Sequence, residues 1–181
     1  YIPTNLISIT DGQIYLSPSL FELGVLPAID VGLSVSRVGG KAQHDVYRTI
    51  VKDLKLAYAQ FVELESFARF GAHLDEQSHR MLAHGQKIRA CLKQPEQKPI
   101  PMEAQILILA ALAEGMLDPV MIERLPLVQE KLISVALENQ NAISGWLSER
   151  HPAKETLHPS LLRLAQETVA PFSNDRELVR L

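Results

Sequence analysis

The 181-residue chain has a single cysteine, Cys91. One thiol closes no internal disulfide and has no metal-ligand spacing around it, so a reducing compartment and a buried free thiol are expected. Charge of one sign is lacking too: Lys+Arg 18 against Asp+Glu 21 leaves a formal net charge of -3. Such a balance sets up no field to draw nucleic acid or an anionic membrane surface, and both are set aside as partners. Long apolar runs are missing. The longest, residues 106–113, falls far short of the roughly 20 residues that a membrane span needs. There is no charged segment followed by an apolar one at the start, so no secretory signal is expected, and there is no convincing internal repeat. The opening Tyr1-Ile2-Pro3-Thr4-Asn5 lacks a methionine and leads to the expectation of a C-terminal portion of something larger.

What is present is a hydrophobic content of 46%, enough for a real core, and a change of period along the chain. Leu6-Ile7-Ser8-Ile9-Thr10 alternates apolar and hydroxyl residues and Gln13-Ile14-Tyr15-Leu16 resumes after Asp11-Gly12, which predicts a strand, a two-residue turn and a second strand. Ser17-Pro18 closes it, and residues 19–23 predict one helical turn stopped by Gly24. Pro27-Ala28-Ile29-Asp30-Val31 starts another extended segment. It runs through Gly32-Leu33-Ser34-Val35-Ser36 to Arg37 and is released by Gly39-Gly40 into helix. Three short strands need neighbours to cover both faces of a sheet.

From Ala42 on the period is helical. Val46, Ile50, Leu54, Ala57, Phe61, Leu64 and Ala68 recur at steps of four and three on one stripe. Gly71 breaks it. Asp75 opens a second helix with Met81, Leu82, Ile88 and Leu92 apolar. Residues 93–101 hold Pro95, Pro99 and Pro101 and cannot be helical inside. A helix from Met102 through Ile106, Leu109, Ala110 and Ala113 is apolar nearly all round, which predicts a central position, and Gly115 and Asp118-Pro119 end it. Another runs over about 126–140, with Leu125, Val128, Leu132, Val135 and Ala136 inward. Gly145 and His151-Pro152 are expected to loosen the chain, residues 159–169 to make a last helix, and 171–181 to fray.

Candidate chemistry is sparse. Gly40-Lys41 suggests a phosphate loop, but Val35 stands where glycine is required and Ala42 where a hydroxyl must reach the metal. Gly32-Leu33-Ser34-Val35-Ser36 misses a nucleophile elbow, since Ser36 replaces the second glycine. The six histidines, His44, His73, His79, His84, His151 and His158, include no i, i+4 pair, so solvated surface histidines are expected and no metal site. Asp75 and Glu76 point different ways on a helix and suit its positive end better than paired acid–base work. Arg37, at a strand end, reads as an interface or anion-contacting arginine that the backbone can aim.

Two stretches carry a resemblance. Tyr1-Ile2-Pro3-Thr4-Asn5-Leu6-Ile7-Ser8-Ile9-Thr10-Asp11-Gly12-Gln13-Ile14-Tyr15-Leu16 and Pro27-Ala28-Ile29-Asp30-Val31-Gly32-Leu33-Ser34-Val35-Ser36-Arg37-Val38-Gly39-Gly40 closely resemble the alpha subunit of the rotary F-type ATP synthase. The match continues more loosely through Leu56-Ala57-Tyr58-Ala59-Gln60-Phe61, Phe67-Ala68-Arg69-Phe70-Gly71, Leu74-Asp75 and Leu92-Lys93-Gln94, and fades after about Asp118.

The resemblance implies a mainly α fold: residues 1–41 as the last strands of a RecA-like α/β nucleotide-binding domain, and 42–181 as the C-terminal helical domain. It implies that Arg37 reaches across a subunit interface to nucleotide phosphates on the neighbouring beta subunit, as an arginine finger in trans. Phe21, Pro27 and Gln94 match family residues around the base of a nucleotide that the alpha subunit binds without hydrolysing. Leu26 stands where the family commonly has arginine and Glu96 where a second glutamine is usual, which implies a weaker or altered site. ATP or ADP with Mg belongs to the intact complex, and this piece alone is expected to be neither loaded nor catalytic.

The implied partners are beta subunits in an alternating ring and the central-stalk gamma subunit, at the cytoplasmic face of a bacterial cell membrane without insertion into it. The departures suggest a divergent branch, such as an alternate ATPase carried beside the ordinary one. Two rivals stand beside this reading. A free-standing helical interaction module would make Arg37 dispensable, and a RecA-like nucleic-acid motor would need a basic face that the net charge does not offer.

Overall fold

Residues 2–69, 74–148 and 157–173 are described by a computed structural model, and helix dominates them. The first element departs from the alternation in the sequence. Where a strand is predicted at residues 6–10, the chain forms helix α1, Ile2–Ile9. A strand satisfies its amides only against a neighbour, whereas a helix closes its bonds within itself. Ser8 Oγ and Thr10 Oγ1 reinforce α1 by donating to the carbonyls of Thr4 and Leu6, 2.9 Å each.

Asp11-Gly12 is therefore no hairpin turn. Gly12 opens strand β1 (Gly12–Leu16), which pairs antiparallel with β2 (Ile29–Ser36), Gly12 opposite Ser36 and Leu16 opposite Ile29. Glycine is needed at position 12 for close approach, since a Cβ there would stand 2.5 Å from the Val35 carbonyl oxygen. The connection holds the short helix α2 (Pro18–Glu22), where Ser17 Oγ accepts from Leu20 N (3.4 Å) and Gly24 ends the turn at φ +67.

The segment read as one plain strand is bulged. Gln13 pairs with Val35 but Tyr15 with Asp30, so β2 carries extra residues. Asp30 Oδ1 holds them by accepting from Gly32 N (2.8 Å) and Leu33 N (2.9 Å). Ser34 Oγ accepts from Tyr15 N at 3.0 Å.

After α3 (Gly39–Ala42) comes the 25-residue helix α4, Asp45–Arg69. Its predicted stripe faces inward, with Ile50, Leu54 and Phe61 buried. The break expected at Gly71 lies outside the described residues. Helix α5, Glu76–Cys91, starts where predicted, with Asp75 accepting from Ser78 N at 2.8 Å.

Two features bind α4 to α5. Phe61 fills the space above Gly85, and Arg89 reaches Glu65 with two bonds of 2.8 Å while its guanidinium carbon lies 4.5 Å from the Phe61 ring centroid. Burial depresses the basicity of Arg89, and the bonds to Glu65 and Tyr58 outweigh it. Glu65→Gln keeps the shape and removes the countercharge from a largely buried guanidinium. Urea unfolding should show a loss of about 1–3 kcal/mol, and an unchanged midpoint would rank the pair with ordinary surface bridges.

Helix α6 (Met102–Ala113) is the hub, packed against α4, against α7 (Leu125–Glu138) and against α9 (Pro159–Ser173). Ala104, Ile106, Leu107, Ala110 and Ala111 are fully enclosed, which is why it reads as apolar all round. Gly115, at φ +66, ends it, and a 3-10 turn at Ile122–Arg124 leads to α7.

The C-terminal part corrects two expectations. Gly145 does not loosen the chain: α8 (Gln140–Ser148) runs through it, because Ile143 and Leu147 are both buried and hold the helix on the core. Likewise α9 continues past residue 169 to Ser173 with Pro171 inside it, as Phe172 packs on the core. His151-Pro152 and residues 174–181 lie outside the described residues.

Candidate functional site

Arg37 follows directly on β2. Its backbone N donates to the Asp11 carbonyl oxygen at 2.8 Å, which carries the pairing one residue beyond the strand. Behind it, Gly39 N donates to Ser36 Oγ at 2.8 Å, so the chain turns away at once into α3. The side chain is exposed, with Nη2 donating to the Ser8 carbonyl oxygen at 3.3 Å. A guanidinium held at its root and exposed at its head, with Nη2 on the Ser8 carbonyl, keeps further in-plane donors that an anion can meet.

The residues expected around a base lie at the opposite end of the β1–β2 pair, near Leu16 and Ile29. Gln94 N donates to the Leu26 carbonyl oxygen at 3.0 Å, which brings the end of α5 to Leu26-Pro27. The Gln94 amide donates to the Lys98 carbonyl oxygen at 3.0 Å. Phe21 lies in α2, 66% exposed, and Leu26 is 48% exposed. Gln94 and Pro27 are thus brought to one place, and Arg37 is not among them.

The rejected motifs have structural roles. Gly40 and Lys41 form part of α3. Ser34 Oγ donates to the Asp30 carbonyl oxygen at 2.5 Å. Asp75 caps α5 and Glu76 pairs with Arg80 at 2.5 Å. Among the described residues no group of three or more His, Cys, Asp or Glu side chains is placed to hold a metal ion, and no helix is long and apolar enough to cross a membrane. Cys91 is buried, and burial pushes its thiol up to about 12, against the opposing influence of Lys87.

Two histidines depart from the expected solvated surface. His158 stacks on Trp146 with ring centroids 5.6 Å apart and accepts from Ser160 N at 3.1 Å. His84 Nδ1 is 2.7 Å from Asp118 Oδ1. His73 and His151 lie outside the described residues. Sequence reasoning also missed the buried Glu103, whose carboxylate accepts from Ser144 Oγ at 3.0 Å and Gln140 Nε2 at 3.4 Å and joins α6 to α8. Apart from Ser160, two residues from His158, these partners are distant in the chain, where no local period signals them.

Comparison with known proteins gives two family matches. Residues 43–168 match the model described as ATP synthase alpha/beta chain, C terminal domain, and residues 1–36 that of the ATP synthase alpha/beta family, nucleotide-binding domain. The chain is 51% identical over 178 residues to ATP synthase subunit alpha 1 of Marinomonas sp. (strain MWYL1), covering 98% of this chain and 35% of that protein. It is 52% identical over 172 residues to ATP synthase subunit alpha 2 of Polaromonas naphthalenivorans (strain CJ2), covering 95% and 33%. For ATP synthase subunit alpha 1 of Chlorobium luteolum the identity is 53% over 166 residues, covering 92% and 32%. The chain thus spans about a third of the length of these relatives. The similarity does not fade after Asp118, since the C-terminal domain match runs to residue 168.

Proposed function

Because the chain belongs to the ATP synthase alpha/beta family, we propose that it is the C-terminal part of a regulatory, non-catalytic alpha subunit of a proton- or sodium-translocating ATP synthase. In this reading residues 1–41 complete a nucleotide-binding domain and 42–181 form the helical domain that meets the ring. Alternating beta subunits and the central gamma subunit are the partners, and the complex sits peripherally on the cytoplasmic face of a bacterial membrane. The numbered names of the relatives, alpha 1 and alpha 2, support a divergent branch.

The observation that carries the proposal is the exposed Arg37, emerging where β2 ends and fixed through its own backbone to Asp11. The role proposed for it is the finger in trans: its guanidinium meets phosphoryl oxygens of a nucleotide on the neighbouring beta subunit, where charge develops during transfer. Nucleotide with Mg, when bound there, supplies the transferring phosphoryl group. This chain supplies a fixed positive charge with in-plane donors and no base or nucleophile.

Phe21, Pro27 and Gln94 are proposed to hold the base of a second, unhydrolysed nucleotide. Leu26 offers that base apolar contact without a cation, and Glu96 offers a carboxylate in place of an amide. Affinity there should accordingly be low.

Assembly tests the proposal most directly. The complete polypeptide, co-expressed with the beta-type subunit of the same organism and purified through a tag on one of them, should elute as a ring holding both. A complete polypeptide that stays monomeric and leaves the beta-type subunit behind would refute it.

A further inference from the structure

The turn between α6 and α7 is gripped twice from α5. His84 Nδ1 lies 2.7 Å from Asp118 Oδ1, and Lys87, one helical turn on, donates from Nζ to the Val120 carbonyl oxygen. The turn is shaped for this hold. Gly115 takes φ +66, and a Cβ there would stand 3.0 Å from Asp118 Oδ2. Buried Leu117 and Val120 anchor the same segment to the core. His84 and Asp118 share an open cleft of about 230 Å³ with Ala57, Gln60, Arg80 and Met81.

Among the described residues, few charges surround the imidazole. From α4 the cleft receives Ala57 and Gln60, neither titratable. From α5 come Arg80, already paired with Glu76, and Lys87. The turn contributes Asp118, and Glu123 beyond it acts on Lys87.

We propose that His84 and Asp118 form a pH-sensitive latch that fastens the α4–α5 pair to the rest of the bundle, held by the imidazolium and slackened when the ring is neutral. The bond to Asp118 raises the basicity of His84 above the ordinary 6.5, burial opposes it, and the Asp118 charge adds to the rise. A folded value above the unfolded one gives a stabilisation that is complete below about 6.5 and is lost as pH rises through the folded value. The latch is a property of the helical bundle alone and stands whether or not Arg37 acts in trans.

Cys91, the one thiol of the chain and the last residue of α5, is buried and so reports opening of that helix. In the full chain, its labelling by a pyridyl disulfide can be compared between wild type and His84→Gln, which keeps a hydrogen-bonding side chain and loses the charge. Taking the ratio of rates in the same buffer cancels the reagent's own pH dependence and the titration of Lys87. The variant should label faster at about pH 5.5, by about tenfold for each pH unit that the wild-type His84 midpoint lies above its unlatched value. The ratio should fall toward one by about pH 8. A side-chain NMR titration should place the His84 midpoint above 6.5 and bring it down in Asp118→Asn. A labelling ratio equal at both pH values, or a His84 midpoint that Asp118→Asn leaves unmoved, overturns the latch.

Discussion

Replacing Arg37 with alanine in the complete assembly should lower steady-state ATP turnover by about 10³ to 10⁵, while nucleotide affinity at the beta sites is largely kept. That is roughly 4–7 kcal/mol of barrier, the size expected of a finger that meets charge spread over the transferring phosphoryl oxygens. The split between turnover and binding follows from differential binding: a group that acts mainly on the transition state leaves ground-state affinity almost alone. Arg37→Lys should recover little, since a point charge on a flexible stem does not reproduce a planar fork. The fold around Arg37 should tolerate both changes, because its anchoring bond to Asp11 comes from backbone N and the side chain gives up only an exposed bond to the Ser8 carbonyl. Turnover within tenfold of wild type would reduce Arg37 to an interface residue and move the search for function to the helical bundle.

Gly85→Ala should cost the bundle about 3 kcal/mol or more, above the usual range for overpacking. A Cβ at position 85 would stand 2.1 Å from Phe61 Cγ, 2.2 Å from its Cβ and 2.4 Å from Cδ2, all far inside contact distance. The ring is 0% exposed and covered by Arg89, so it cannot swing out to solvent without displacing its neighbours. Relief must come from separating α4 and α5, which would also stretch the Arg89–Glu65 pair. Thermal melts of Gly85→Ala and of Gly85→Ala/Phe61→Ala should therefore be strongly non-additive, the second change restoring part of what the first removes. A Gly85→Ala melt that coincides with wild type would show that the ring is not wedged between the helices.

Much of the bundle is legible in the sequence, because helical period and capping are local signals. Ile50, Leu54 and Phe61 fall on a stripe that is buried, Asp75 caps α5, and the uniform apolarity of residues 106–113 corresponds to the enclosed α6. The sheet is less legible. Leu6 to Thr10 alternates as a strand does, but strand formation depends on a neighbour to pair with, and α1 forms there instead. Gly32 sits in a bulge written by the Asp30 carboxylate rather than by backbone propensity. In α8, tertiary burial of Ile143 and Leu147 overrides the helix-weakening Gly145.

The candidate site divides in the same way. That Arg37 leaves a strand end is visible from the glycines that follow it. That Gln94 meets Leu26 is not, since the two are far apart in the chain and joined by one backbone bond. His84–Asp118, Arg89–Glu65 and the Glu103 network carry no sequence spacing of their own.

The enclosure of α6 has a consequence for how the bundle assembles. Its walls come from α4, earlier in the chain, and from α7 and α9, later in it. No stretch of sequence on one side of α6 covers it completely. Burial is completed only when distant parts of the chain meet, and closing the long loops between them costs entropy before the contacts reward it. A cell synthesising this chain from its N-terminus therefore holds an incompletely covered α6 until α9 has been made.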